Sequence, residues 1–304
     1  MKITILLSTY NGEKYLKEQL DSLFELNNIS DISILVRDDG SSDSTLQILE
    51  EYKNKHPNLS YYQGENKKPA KSFWELLNKA QESDYFAFCD QDDVWDKDKL
   101  EIAINELEKK DKNKPLLYFS DVRIVDQNLK LVSSTMVSKD IEISYPMSFF
   151  NNIAPGCTFV FNNKLREIAI KYDVDKNYIN IHDWLMYMIA SCFGEVVFDK
   201  TSHMSYRQHG DNSIGAIKNK VKYFIKQFVK RKDPKNINVR QKMALGMENT
   251  YSSLMSEENR YLTSLVAHYI NNKDIKKKLL DEKRLQYKKK QYKFFRYLIK
   301  HNEF

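Results

Sequence analysis

The strongest constraint on this chain is the alternation of short apolar runs with helical patterns over its first 120 residues. Ile3–Ser8, Ile32–Arg37, Leu59–Gln63 and Tyr85–Cys89 are β-rich runs, and the last is wholly apolar. Between and after them lie four helical stretches. Lys14–Leu26 sets Leu16, Leu20, Leu23 and Phe24 at helical spacing, Thr45–Tyr52 follows a Ser/Asp cluster able to cap it, and Ala70–Gln81 and Lys97–Lys109 complete the set. Strands joined by helices over short connections predict an α/β fold with a mostly parallel sheet covered on both faces. Ligands of such sheets bind outside the carboxyl ends of the strands, so those ends are where chemistry is expected.

The middle third is less regular. Leu116–Ser120 and Cys157–Phe161 read as strands, the second after a Pro155-Gly156 turn, and Asp183–Phe193 reads as a helix followed by a short strand, Val196–Phe198. The final third has long helical stretches, and Ile217, Val221, Phe224 and Phe228 form one apolar stripe. With 304 residues, one large domain plus an appendage fits ordinary domain sizes, and the expected division is 1–215 and 216–304.

Charge divides the same way. Residues 216–235 carry +7 and residues 271–304 carry +8, so a net charge of +6 leaves −9 on the rest. A basic C-terminal third suits an anionic partner, and with no nucleic-acid recognition motif beside it the expectation is peripheral contact with an anionic membrane rather than nucleic acid. The alternative is a helical appendage that packs its stripe on the catalytic domain and leaves a solvated basic face. No run approaches the roughly 18–20 apolar residues that span a bilayer, and the N-terminal segment reads as a strand rather than a secretion signal. Three separated cysteines, Cys89, Cys157 and Cys192, form no CxxC pair and read as buried thiols of a cytoplasmic protein.

Three strand ends carry polar motifs. The first ends in Ser8-Thr9-Tyr10-Asn11-Gly12, which offers hydrogen bonds or merely opens a helix. The second ends in Asp38-Asp39-Gly40-Ser41-Ser42-Asp43, where Asp43 reads as a helix cap and Asp39 as an acceptor for a base or ribose. The fourth ends in Asp90-Gln91-Asp92-Asp93. Like charges this close repel unless a cation sits among them, and hard oxygen ligands select Mg2+ or Mn2+.

These motifs, in this order and spacing, resemble the signatures of family 2 glycosyltransferases of the GT-A fold, and the likeness covers about residues 1–215. It implies an inverting transferase that uses a nucleotide-diphosphate sugar and Mn2+ or Mg2+. By that likeness Thr9, Tyr10, Asn11 and Asp39 hold the nucleotide, with Lys71 near the base or pyrophosphate. Asp90, Gln91 and Asp92 meet ribose, phosphates and metal. Asp183, in Ile181-His182-Asp183-Trp184, would be the general base, though it reads also as the N-cap of its helix. In Tyr206-Arg207-Gln208-His209-Gly210-Asp211-Asn212-Ser213, Arg207 would pair with phosphate and His209 would be a metal ligand or make a structural hydrogen bond. That segment departs from the Gln-x-x-Arg-Trp motif of processive members, which speaks against repeated polymerisation.

Within the family the chain looks most similar to bacterial rhamnosyltransferases of surface polysaccharide synthesis. The donor implied is dTDP-L-rhamnose, or else a UDP-hexose, and the acceptor a glycan or lipid-linked saccharide. Two other readings compete. A sugar-nucleotide nucleotidyltransferase would want a Gly-rich basic loop after the first strand, which Ser8–Gly12 lacks. An inactive nucleotide- or glycan-binding module would have no need of intact Asp90, Asp92 and Asp183.

Overall fold

The structure is a computed structural model that describes residues 1–27, 31–137, 141–150, 152–153, 155–209, 238–286 and 289–304. The 215/216 boundary, the stripe from Ile217 to Phe228 and the segment from Gly210 to Ser213 lie outside the described residues. The chain divides into two compact units. The first comprises 1–141, 152–171 and 181–209; the second comprises 142–151, 172–180 and the described residues beyond 209.

In the first unit, β1 (Ile3–Thr9), β2 (Ile32–Asp38), β3 (Leu59–Gln63) and β4 (Tyr85–Cys89) form a parallel half-sheet in the order β3-β2-β1-β4. Helices α1 (Leu16–Phe24), α2 (Thr45–Lys55) and α3 (Lys68–Lys79) connect them. Every residue of β4 is buried, as its unbroken apolar sequence requires of a strand covered on both faces. Leu16, Leu20 and Leu23 of α1 pack with Ile3, Ile5 and Leu7 of β1 and Ile34 and Val36 of β2 in one core.

Beyond β4 the sheet becomes mixed. The short β8 (Val160–Asn162) runs antiparallel to both β4 and β6 (Leu116–Val125). Strand β9 (Glu195–Arg207) runs parallel to β6 over most of its length, and β5 (Val94–Trp95) pairs antiparallel with β9. The long ladders are parallel and the antiparallel ones span two or three pairs each, so the expected α/β sheet with flanking helices is present, with an antiparallel insert. Helices α4 (Lys99–Glu108), α6 (Asn163–Ala169) and α7 (His182–Phe193) complete this unit.

Two local expectations are corrected. Cys157 lies not in a strand but in a 3-10 turn, Gly156–Thr158, because the Thr158 N–H and hydroxyl both donate to the Pro155 carbonyl. The strand begins only at Val160. The strand expected over Val196–Phe198 extends to Arg207, with register shifts opposite Ser120, Asp121 and Arg123.

The second unit is helical. It contains α5 (Tyr145–Ser148), α8 (Val239–Tyr251), α9 (Glu257–His268), α10 (Lys273–Asp281) and α11 (Lys289–Lys300). Its core closes on the chain's last residue. Phe304 is fully buried beside Phe150 and Phe295, and its backbone bonds the Tyr269 hydroxyl. Among the described residues, no helix is long and apolar enough to cross a membrane.

Candidate active site

Thr9, Tyr10, Asn11, Asp39, Asp90, Gln91 and Asp92 lie at the carboxyl ends of β1, β2 and β4, while Lys71 stands on α3, Asp183 on α7, and Arg207 ends β9 just before His209. Asp38, at the end of β2, shapes a turn. Its carboxylate accepts the N–H groups of Gly40 and Ser41, at 3.1 and 2.9 Å, and Gly40 takes a left-handed φ of 83°. Asp39 is 2% exposed and accepts from the buried Arg37 guanidinium and from the backbone N–H groups of Lys67 and Lys68, each at 2.9 Å. A carboxylate has about four acceptor sites, so roughly one is left for a ligand. Lys71 lies half-buried in the first turn of α3, just beyond those two amides.

Gln91 joins the first motif to the third. Its Oε1 accepts from the Thr9 hydroxyl at 2.6 Å and from the Tyr10 N–H at 2.8 Å, and its Nε2 donates to the Tyr10 carbonyl at 3.2 Å. A Cβ at Gly12 would stand 2.5 Å from that Oε1 and 2.8 Å from the Thr9 hydroxyl oxygen, so a side chain there would disturb the Thr9–Gln91 bond. Asn11, at φ 46°, accepts from the Ser42 N–H at 2.9 Å and donates its own N–H to the Ser41 hydroxyl at 2.8 Å, tying the first motif to the second. Tyr10 is 47% exposed. The N-cap of α2 is Ser44 rather than the expected Asp43, which stands one residue earlier and accepts the Thr45 N–H and hydroxyl.

Asp90, Asp92 and Asp183 meet electrostatically. Burial, then the charges of Asp92 and Asp183, push the Asp90 carboxyl up to about 7 against the opposing pull of Lys99. Burial also pushes Asp183 up to about 6, although it accepts the N–H groups of Trp184 at 2.7 Å and Gly156 at 3.2 Å and a bond from Asn152. Asp183 sits inside the first turn of α7; the N-cap is Ile181, and Asp183 caps no more than the amide beside it. The ligand atoms of Asp90, Asp93 and Cys157 lie within 4.8 Å of one another, while Asp92 pairs with His209 Nε2 at 2.8 Å. The grouped donors are thus Asp90, Asp93 and Cys157 rather than the expected Asp90, Asp92 and His209. A carboxyl that burial and neighbouring charges hold near 7 would ionise beside a divalent cation, so the carboxylate oxygens here suit Mg2+ or Mn2+, while the Cys157 thiol does not.

Arg207 is a correction. It is 1% exposed and its guanidinium is engaged by protein groups: the Asp92 carbonyl at 2.8 Å, the Gln127 carbonyl at 2.8 Å and the Glu18 carboxylate. Its backbone N–H donates to Asp93 at 3.0 Å. It fastens the acidic loop from within and is not presented to a phosphate. The Tyr15 ring packs against both partners of this clamp, 4.6 Å from the Arg207 guanidinium and 4.7 Å from the His209 ring.

Sequence reasoning missed Lys99. It is fully buried, donates to the Cys157 carbonyl at 2.6 Å and lies 3.1 Å above the Trp95 ring. Burial pushes its ammonium down to about 8, opposed by nearby Cys157, Cys89, Asp93 and Asp90. Its place seven residues after Asp92 on an otherwise ordinary helix face gave no signal.

Known proteins resemble the chain in sequence and in fold. A sequence model of glycosyl transferase family 2 matches residues 4–145. The dTDP-rhamnosyl transferase RfbG of Shigella flexneri is 33% identical over 228 residues, which cover 71% of this chain and 76% of that protein. The poly(ribitol-phosphate) β-N-acetylglucosaminyltransferase TarS of Staphylococcus aureus is 31% identical over 162 residues, covering 53% of this chain and 25% of TarS. The structure of TarS 1–349 in complex with UDP-GlcNAc superposes with a TM-score of 0.57 at 18% identity, covering 100% of this chain and 93% of that one. The mannosyltransferase PcManGT of Pyrobaculum calidifontis, in complex with GDP-Man and Mn2+, gives 0.51 at 14%, covering 97% and 87%. The two superpositions establish a shared fold; the identity to RfbG over two-thirds of both chains establishes kinship. The chain belongs to glycosyltransferase family 2.

Proposed function

We propose that this glycosyltransferase inverts configuration, depends on Mn2+ or Mg2+, and moves one L-rhamnosyl group from dTDP-L-rhamnose to a glycan or lipid-linked saccharide in bacterial surface polysaccharide synthesis. The observation that carries the mechanism is the buried Asp90 carboxyl close enough to Asp92 and Asp183 to feel their charges: burial, then those charges, raises it to about 7, and burial alone raises Asp183 to about 6. The likeness to a dTDP-rhamnosyl transferase carries the donor, and a UDP-hexose is the competing donor. Family membership sets aside the nucleotidyltransferase and the inactive module.

Asp90, Asp92 and His209 would hold the metal, whose charge stabilises a departing diphosphate. Asp39 would accept a hydrogen bond from the base through its remaining acceptor site, beside the hydroxyl of Thr9 and the ring of Tyr10, with Lys71 near the pyrophosphate. Asp183 takes the proton of the acceptor hydroxyl as its oxygen bonds to the anomeric carbon. The bond from that carbon to the diphosphate breaks with its electron pair leaving on the diphosphate. Attack opposite the leaving group inverts the centre.

In this reading the enzyme works in the cytoplasm, and its basic C-terminal region makes peripheral contact with the anionic inner face of the plasma membrane. Lys293, Phe294, Tyr297 and Lys300 are exposed on one side of α11, a composition suited to an interface of anionic headgroups.

A thermal-shift panel of sugar nucleotides with Mn2+ tests the donor, because a ligand of the native state raises apparent stability. Asp183→Asn tests the base. It is expected to bind donor normally and to lose transfer by about 100- to 10,000-fold. Transfer at the wild-type rate would remove Asp183 from the mechanism.

A further inference from the structure

His182 is the residue before the proposed base, and its surroundings are unusual for an imidazole. It is 8% exposed, and its Nε2 is buried with no hydrogen-bond partner among the described residues. The ring is fixed on two sides. Phe73 of α3 stacks on it at 4.0 Å and 18°, and Phe88 of β4 meets it edge-on at 5.1 Å and 82°. A buried polar atom left unpaired costs stability, and an aromatic hydrocarbon would fill the same slot without that cost. The nitrogen therefore needs a reason beyond packing.

Its position supplies one. The point where a Cβ of residue 156 would stand lies 3.0 Å from His182 Nε2 and 3.2 Å from Asp183 Oδ2. The Gly156 backbone thus packs closely against both residues, and His182 Nε2 and Asp183 Oδ2 lie near one another beside it. His182 packs on Phe73 of α3 and Phe88 of β4, the strand that leads into Asp90, and Asp183 beside it is close enough to Asp90 to raise that carboxyl.

Burial alone pushes the imidazole down to about 3, so at neutral pH the ring is uncharged and offers one donor and one acceptor. The partner that suits either tautomer is a group that both donates and accepts. A hydroxyl does so; a phosphate oxygen only accepts.

We propose that His182 Nε2 hydrogen-bonds a hydroxyl of the sugar being transferred and so contributes to recognition of the sugar, separately from the nucleotide. This rests on the reading of the neighbouring strand ends as the sugar-nucleotide site. It is independent of whether Asp183 is the base.

The test uses the full chain with Mn2+ and measures two dissociation constants by calorimetry: that of the sugar nucleotide selected by the thermal-shift panel, and that of its own nucleoside diphosphate. His182→Phe keeps the ring between Phe73 and Phe88 and removes the nitrogen; His182→Gln restores a donor and an acceptor. The expected result is that His182→Phe weakens the sugar nucleotide about tenfold, leaves the nucleoside diphosphate unchanged and raises the melting temperature, while His182→Gln recovers part of the loss. Equal weakening of both ligands, or of neither, overturns the proposal. A panel that selects a donor other than dTDP-L-rhamnose corrects the donor reading alone, since the comparison is made with whichever pair the wild type binds.

Discussion

At the residue scale the site turns on which carboxylates are ionised. The proposed base must be charged to accept a proton, and Asp183 titrates near 6 rather than in the ordinary carboxylate range because burial disfavours its charged form. The ionised fraction is full above that value and declines as pH falls through it. Transfer is therefore expected to fall about tenfold for each pH unit below 6, while binding of nucleoside diphosphate to the Asp183→Asn variant lacks that limb. A rate profile flat down to pH 5 would contradict the assignment. Asp92 carries a different task. Asp92→Ala is expected to weaken Mn2+-dependent diphosphate binding by at least about 100-fold, with a small change in melting temperature, since the residue is half-buried and its carbonyl bond to Arg207 survives. Asp90 and Asp92 were legible because two acidic strand ends align in a parallel sheet. The role of Arg207 was not, since its partners Glu18, Asp92 and Gln127 lie about 80 to 190 residues away in sequence, and no local pattern announces such a bond.

At the scale of elements, the parallel half-sheet was readable because each of its strands is a compact run rich in β-branched, aromatic or other apolar residues, bounded by polar turns. The end of β9 was not. Asp199–Arg207 mixes Lys, Ser, His, Met and Tyr without clean alternation, and it becomes a strand through pairing with β6 and β5. Cys157 and Thr158 were misread for the opposite reason. Both suit a strand, but Thr158 turns back on Pro155. The consequence for β9 is that its last residue holds the acidic loop. Arg207→Met keeps the stem and removes every guanidinium bond, leaving the Asp92 and Gln127 carbonyls unpaired. Urea unfolding is expected to show a loss of about 2–4 kcal/mol, and Mn2+ titration a weakening of about ten- to 100-fold. A stable variant with wild-type Mn2+ affinity would show that the clamp is dispensable.

At the scale of the whole molecule, the second unit ends in its own core. Removing residues after 270 would strip Phe295 and Phe304 from that core, so the membrane proposal is better tested by charge reversal than by truncation. Lys293→Glu with Lys300→Glu changes two exposed positions of α11. It is expected to weaken binding to phosphatidylglycerol-rich vesicles by at least about tenfold without altering the melting temperature, because each basic residue near such a surface contributes about 1 kcal/mol. Unchanged vesicle binding would return this helix to a plain packing role. The basic composition was plain in the sequence, but the burial of the final phenylalanine was not, since a lone apolar residue at a chain end has no periodicity to read.

The pairing of Asp92 with His209 has a further meaning for how the protein is made. A ribosome releases the β1 and β4 strand ends long before His209, the residue that pairs with Asp92. Early strands therefore assemble without that bond, and in the proposed site a sugar nucleotide meets its full set of partners only in chains whose synthesis has passed His209. The small molecule thus inspects finished enzyme rather than guiding its birth.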